Sequence, residues 1–146
     1  MASASKQSGG CLCGAVRFTA TPSDHDVGVC HCSMCRRWTA GPFMVRDCGT
    51  SLKVEDASSL GAYRSSEWAE RGFCKACGTP LYYRLIDKDS YFVSAEAFDD
   101  VKGITFTTQI FIDEKPAYYD FANETRTMTG AEVFALFAPG GGEAKE

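Results

Sequence analysis

Seven of the eight cysteines in this chain lie in tight clusters, and only Cys48 stands apart. Zinc binds four thiolates in a tetrahedron, and closely spaced cysteines let one turn of the chain supply two of them. Seven thiols are one fewer than two full sites require. The count therefore indicates one closed four-thiolate site and one open three-thiolate site that could accept a water, a substrate or a thiol. The clustered residues are Cys11, Cys13, Cys30, Cys32, Cys35, Cys74 and Cys77.

Glycine follows two of these clusters, at Gly14 and Gly78. Because glycine tolerates positive φ, the backbone can curl there and direct amide N–H groups at the sulfurs. This shared design favours a single closed site that joins the first and last clusters. Spacing alone leaves the partition open, and Cys48 is either a further ligand or a buried thiol without a metal. The closed site would then use Cys11, Cys13, Cys74 and Cys77.

The middle cluster lacks a trailing glycine and is followed by Arg36 and Arg37. Three thiolates on Zn²⁺ leave a local charge of −1 and a free coordination position. The two arginines could offset that charge or bind the carboxylates of a ligand bidentately. The alternative is that both are solvated surface residues. The ligands of this open site would be Cys30, Cys32 and Cys35.

His31 lies between two of these cysteines, and in a strand its side chain would face away from their sulfurs. We therefore expect a surface residue, or one that contacts a ligand, rather than a metal ligand. His25 lies in an acidic turn. Two histidines so placed give no Ser-His-Asp arrangement.

The net charge and the hydropathy pattern argue against two kinds of partner, nucleic acid and membrane. The formal charge of −4 and the pI near 5.2 argue against nucleic acid as a partner. No apolar stretch is long enough to span a membrane, and residues 1–10 lack the apolar core of a signal peptide. We therefore expect a cytoplasmic protein, where thiols stay reduced, and we favour metal ligation over disulfides.

The hydrophobic pattern predicts a mainly β chain with little helix. A capping box at Thr129–Glu132, followed by apolar residues and ended by Pro139, predicts one short C-terminal helix. We expect one domain over residues 10–138, with disordered tails at 1–9 and 140–146. Predicted strands cover residues 15–19, 43–46, 80–85, 90–94 and 104–112.

Three segments together resemble the glutathione-dependent formaldehyde-activating enzyme (GFA) family, which also includes centromere protein V. They are residues 10–18 (GCLCGAVRF), 30–37 (CHCSMCRR) and 73–81 (FCKACGTPL). They occur in the family's order, and the resemblance covers residues 10 to about 120.

The resemblance implies a β-tent fold of short antiparallel sheets with two zinc sites, one structural and one catalytic. The activity it implies is that of a carbon–sulfur lyase, which adds glutathione to formaldehyde to give S-(hydroxymethyl)glutathione. Zinc would lower a thiol pKa or act as a Lewis acid. By this likeness the structural ligands are Cys11, Cys13, Cys74 and Cys77, and the catalytic ligands are Cys30, Cys32 and Cys35.

The chain departs from the family pattern in the expected pocket half. It has Gln109 where relatives often carry histidine, and Tyr118-Tyr119 where a tryptophan is common. The sequence is also compatible with two other hypotheses. One is a non-catalytic zinc module that binds a protein partner, and the other is a thiol redox switch that releases zinc on oxidation. The sequence leaves the oligomeric state open.

Overall fold

A computed structural model describes residues 4–137 of the chain. These residues form a mainly β fold, as the sequence predicts, with two short α-helices and three 3₁₀ turns. The strands are β1 (Gln7–Gly10), β2 (Arg17–Ala20), β3 (Asp26–Cys30), β4 (Phe43–Asp47), β5 (Lys53–Val54), β6 (Leu60–Arg64), β7 (Ala69–Cys74), β8 (Pro80–Leu85), β9 (Ser90–Ser94), β10 (Thr105–Ile110) and β11 (Arg126–Met128), and the helices are α1 (Ser33–Thr39) and α2 (Gly130–Phe137).

The described residues group into two compact units. Among the described residues, the first comprises 4–25 and Val45–Thr105, and the second comprises Asp26–Met44 and 106–137. The four-cysteine set lies entirely in the first unit, and the three-cysteine set lies entirely in the second. The single domain over residues 10–138 stays a prediction.

The first unit contains two antiparallel arrangements of strands. One has the order β1-β2-β5, and the other has the order β4-β9-β8-β7-β6. Buried apolar side chains from both form the core, in which the Phe18 ring meets the Phe98 ring edge-on at 5.4 Å between centroids. Cys11 and Cys74 belong to this core. Core packing therefore holds in place one cysteine of the first cluster, Cys11, and one cysteine of the last cluster, Cys74.

The second unit contains strands in the order β11-β10-β3 together with both α-helices. Strands β10 and β11 run parallel, with Thr108 opposite Arg126. This pair is an exception within the short antiparallel sheets that the sequence predicts. The connection from Ile110 to Arg126 is long enough for the crossover that parallel strands need.

The C-terminal helix begins as predicted. Glu132 N–H donates to Thr129 Oγ1 at 3.2 Å, and Thr129 N–H donates to Glu132 Oε1 at 2.8 Å, which completes the capping box. Val133 is buried, whereas Leu136 is 63% exposed. The apolar stripe therefore packs at its first positions and is solvent-exposed at Leu136.

The N-terminal segment is more ordered than expected. Strand β1 occupies Gln7–Gly10, and Ala4 is buried. The predicted disorder is wrong for this part of residues 1–9, because the small residues fit where the backbone approaches closely: a Cβ at Gly9 would lie 2.3 Å from the Ala97 carbonyl oxygen. Residues 1–3 and the predicted tail at 140–146 lie outside the described residues.

Candidate metal centres

The first candidate centre is a set of four thiols in the first unit. Their Sγ atoms all lie within 4.8 Å of one another. Cys11 Sγ lies 3.7 Å from Cys13 Sγ, and Cys13 Sγ lies 3.9 Å from Cys74 Sγ. A tetrahedron with Zn–S bonds of about 2.3 Å has edges of about 3.8 Å. The sulfurs, with Cys77 as the fourth, are therefore already spaced as zinc requires.

Two tight turns bring these thiols together. Gly14 and Gly78 follow Cys13 and Cys77 and have φ values of +84° and +83°. Residues with a Cβ rarely adopt this left-handed conformation, so the sequence prediction of curled turns at the two glycines is confirmed. Gly78 N–H donates to the Cys74 carbonyl at 2.8 Å and closes the second turn.

Backbone amides point at the sulfurs of the four-thiol set. Val16 N–H donates to Cys11 Sγ at 3.2 Å. Ala76 and Cys77 N–H donate to Cys74 Sγ at 3.3 and 3.4 Å. Although burial opposes it, the bond from Val16 lowers the pKa of Cys11, and the thiolate is the form that binds metal.

Thr79 joins the two turns, and sequence reasoning did not single it out. Leu12 N–H donates to Thr79 Oγ1 at 3.1 Å, and the Thr79 hydroxyl lies 3.1 Å from Cys77 Sγ. The hydroxyl hydrogen bond lowers the pKa of Cys77 to about 5. Thr79 thus favours the thiolate form of Cys77, and it also links the turn that carries Cys77 to the turn of the first cluster. Its place directly after Gly78 in the third motif was the available signal.

The second candidate centre is a set of three thiols in the second unit, again with all Sγ atoms within 4.8 Å. Cys30 ends β3, Cys32 is the N-cap of α1, and Cys35 lies in the first helical turn. Cys35 N–H donates to Cys32 Sγ at 3.4 Å, so a thiol occupies the place where serine or aspartate usually caps a helix. The helix start thus sets the geometry of two of the three sulfurs.

The three thiols are chemically suited to a cation. Hydrogen bonding with Cys32 and Cys35, together with burial, raises the pKa of Cys30. Three thiolates can share this place only if a positive ion compensates their repulsion. An all-sulfur set fits zinc, and three ligands would leave one position open. Both cysteine sets could therefore hold a metal ion.

His31 is fully buried, and both its ring nitrogens are occupied. Nε2 lies 2.8 Å from Gln109 Oε1, and Nδ1 lies 2.9 Å from the Tyr119 hydroxyl. Gln109 Nε2 donates to Thr125 Oγ1, which orients Oε1 to accept the proton of His31 Nε2. Burial lowers the pKa of His31, which favours the neutral ring, and Nδ1 of that neutral ring accepts from the Tyr119 hydroxyl. Of the two expected alternatives, a surface residue or one that contacts a ligand, the first is wrong because His31 is buried. His31 belongs to neither of the cysteine sets that could hold a metal.

The two arginines lie on α1, directly after the three thiols. Arg36 is half-buried, and its Nε–H donates to the His31 carbonyl at 2.8 Å, while Arg37 is exposed. Both line an open cavity of about 400 Å³, which the 82%-exposed Tyr118 also borders. The structure thus places both predicted arginines in one cavity on the helix that carries Cys35.

The sequence profile described as "Glutathione-dependent formaldehyde-activating enzyme" matches residues 6–114 of this chain. The chain belongs to this family. An uncharacterized lyase of Schizosaccharomyces pombe is 43% identical over 126 residues, which are 86% of this chain and 92% of that protein.

Structural comparison agrees on the fold. A crystal structure of a Rhodobacter sphaeroides protein matches with a TM-score of 0.56 at 23% identity, over 68% of this chain and 99% of that one. Along residues 4–137, no helix combines the length and apolar character that crossing a membrane would require.

Cys48 lies outside both cysteine sets of this GFA family member. It is 2% exposed in the core of the first unit, and its thiol contacts the Arg46 carbonyl at 3.6 Å. Burial raises the pKa of Cys48 to about 12. It is therefore a core thiol, and all eight cysteines are free of disulfides.

Gln109 and Tyr119, where the resemblance predicted a departure from the family pattern, are the two residues that contact the ring nitrogens of His31. Tyr119→Phe removes the hydroxyl that contacts His31 Nδ1 and leaves a buried acceptor without its partner among residues 4–137, which costs about 1–3 kcal/mol. We expect the melting temperature of the zinc-loaded protein to fall by several degrees. The matched control is Tyr118→Phe, because that hydroxyl is exposed and makes no hydrogen bond in the described residues. Equal melting of both variants would show that the His31 contact contributes nothing.

Proposed function

We propose that this protein is a zinc-dependent carbon–sulfur lyase of the S-(hydroxymethyl)glutathione synthase type. It would add a small thiol, such as glutathione, to formaldehyde or a related carbonyl. Family membership and the lyase name of the fission-yeast relative support this class. The observation that carries the proposal is the position of the arginine-lined cavity on α1, the helix that contains Cys35 and is capped by Cys32.

The reaction joins the sulfur of the thiol to the carbonyl carbon. The thiol loses its proton, the sulfur lone pair forms the S–C bond, and the π pair of the carbonyl moves to oxygen, which takes up a proton. Atoms and electrons balance without an oxidant. Zinc held by Cys30, Cys32 and Cys35 would supply Lewis acidity and favour the thiolate form of a thiol.

The protein's own part is to bind and orient the thiol. Glutathione carries two carboxylates, and the cavity presents Arg36 and Arg37. Arg36 uses Nε for the His31 carbonyl, which holds its guanidinium in place and leaves its terminal nitrogens for a ligand. A fixed guanidinium loses less entropy when it binds a carboxylate. In this proposal the three cysteines hold the zinc ion, and the two arginines bind the carboxylates of the thiol.

The four-thiol set has a separate role in this proposal. Closed tetrahedral zinc is structural, because it leaves no position for substrate. Cys11, Cys13, Cys74 and Cys77 would bind this ion and stabilise the first unit. In this proposal the protein therefore binds two zinc ions, one structural and one catalytic. We also propose that it acts in the cytoplasm, where reduced thiols persist.

Titration calorimetry with glutathione tests the cavity. Arg37→Gln should weaken glutathione binding about three- to fivefold, the range expected for an exposed charge pair. Arg126→Gln is the matched control, since it removes an exposed arginine in β11 that has no ion pair in the described residues. Equal loss in both variants, or no parent binding at millimolar ligand, would remove glutathione as the ligand of this cavity.

Exchange spectroscopy of mixed formaldehyde and glutathione tests catalysis separately. The zinc-loaded parent should accelerate interconversion of the free and adduct forms. Binding without acceleration would instead favour a non-catalytic zinc module. Release of zinc with disulfide formation under mild peroxide would favour a redox switch.

A further inference from the structure

A second, smaller cavity is lined only by residues of the first unit, and none of them is a cysteine. Its volume is about 80 Å³, and its lining is mostly polar or charged. Three of the lining residues, Arg46, Lys102 and His25, carry basic side chains, and Asp100 is the only acidic one. Ser5 also borders the cavity.

Arg46 is the unusual residue of this cavity, because its guanidinium is buried with few partners. The side chain is only 3% exposed. One Nη donates to the Asp24 carbonyl at 2.8 Å, and the guanidinium lies 5.4 Å from the Phe98 ring centroid. Nε has no hydrogen-bond partner, and no carboxylate within residues 4–137 lies within 4.0 Å of this arginine.

Burying the Arg46 guanidinium with so few hydrogen-bond partners costs folding free energy. Arginine does not deprotonate in proteins, so the charge remains, and five N–H donors require acceptors. A carbonyl and a ring face compensate part of the charge, whereas an anion would compensate all of it. Asp100 does not fill this role, since its Oδ1 accepts the Lys102 backbone N–H at 3.0 Å and lies outside ion-pair distance of Arg46.

We propose that this cavity is a binding site for a small oxyanion of the phosphate or sulfate type. Arg46 is the buried anchor, and Lys102 and His25 add positive or donor groups at the exposed rim. The cavity volume of about 80 Å³ is larger than the minimum that one water molecule requires. That volume accepts a small tetrahedral oxyanion. The site is independent of the thiol chemistry proposed above.

Nuclear magnetic resonance of the zinc-loaded full chain tests the proposal. Inorganic phosphate is titrated at constant ionic strength, with chloride as the compensating anion, while the Arg46 Nε–H signal and the His25 and Lys102 amides are followed. We expect a saturable shift confined to these groups. A parallel titration with O-phosphoserine separates a free anion from a phosphate ester. We expect the stronger response to the free anion, because a cavity of about 80 Å³ leaves little room for the carbon chain of the ester.

Matched variants decide whether the response is specific. Lys102→Gln should weaken phosphate binding about three- to fivefold, whereas Lys88→Gln, which makes the same charge change at an exposed position of the same unit, should not. Arg46→Lys keeps the charge but loses the planar fork, and should abolish the saturable response. A linear shift without saturation, or equal affinities for Lys102→Gln and Lys88→Gln, would overturn the proposal even if Arg46→Lys fails to fold.

Discussion

Cys74→Ser is expected to make the protein insoluble or to lower its melting temperature drastically. Cys74 is fully buried, and its Sγ lies 3.9 Å from the sulfur of Cys13, which is 61 residues earlier in the chain. Zinc at such a structural site contributes an apparent ~10–16 kcal/mol to folding. Because the net stability of a domain is about 5–15 kcal/mol, losing one of four ligands removes most of it.

Cys48→Ser is the matched control for this prediction. It makes the same thiol-to-hydroxyl change in the same core, at a cysteine that is 2% exposed and outside the metal sets. A buried hydroxyl costs about 1–3 kcal/mol, so this variant should remain folded. The checks are soluble yield, thermal melting and zinc content of both variants. If Cys74→Ser melts like Cys48→Ser, the four-thiol set is not part of the folding free energy.

Cys35→Ser is expected to abolish the proposed activity and the second zinc while leaving the fold in place. The three thiols lie within one short segment, so the metal closes only a short loop of the unfolded chain. Longer loop closures constrain the unfolded chain more, which makes the four-thiol site the larger contributor. Cys35 is itself 3% exposed, so a modest loss of stability is expected as well.

Zinc content, thermal melting and the formaldehyde–glutathione exchange rate check this variant beside the parent. The zinc count should fall by one, and the melting temperature by a few degrees. Cys48→Ser again serves as the control and should keep both zinc and activity. Unfolding by Cys35→Ser, combined with a folded Cys74→Ser, would show that the structural and catalytic assignments are reversed.

Features with local signals were predictable from the sequence. The cysteine spacing and the trailing Gly14 and Gly78 grouped the thiols into the same two sets that the structure brings together. Strands β8 and β9 were predicted with their observed bounds, because aromatic and β-branched residues alternate between clear turns. The capping box gave the start of α2.

Features that depend on distant partners could not be predicted in this way. Strand β1 consists of Gln-Ser-Gly-Gly and exists because it pairs with β2. The burial of His31 depends on Tyr119, 88 residues later in the chain. Arg46 looks like an ordinary strand residue in sequence, and only the packing of Phe98 and Asp24 around it reveals the buried charge.

Elemental analysis of the parent protein tests the central claim of two unlike zinc centres most directly. Protein purified without chelator is measured before and after dialysis against a mild chelator, with free thiols counted in parallel. We expect close to two zinc ions per chain before dialysis and one afterwards, because three ligands hold an ion less firmly than four. Protein that contains no zinc and carries disulfides instead would contradict the account.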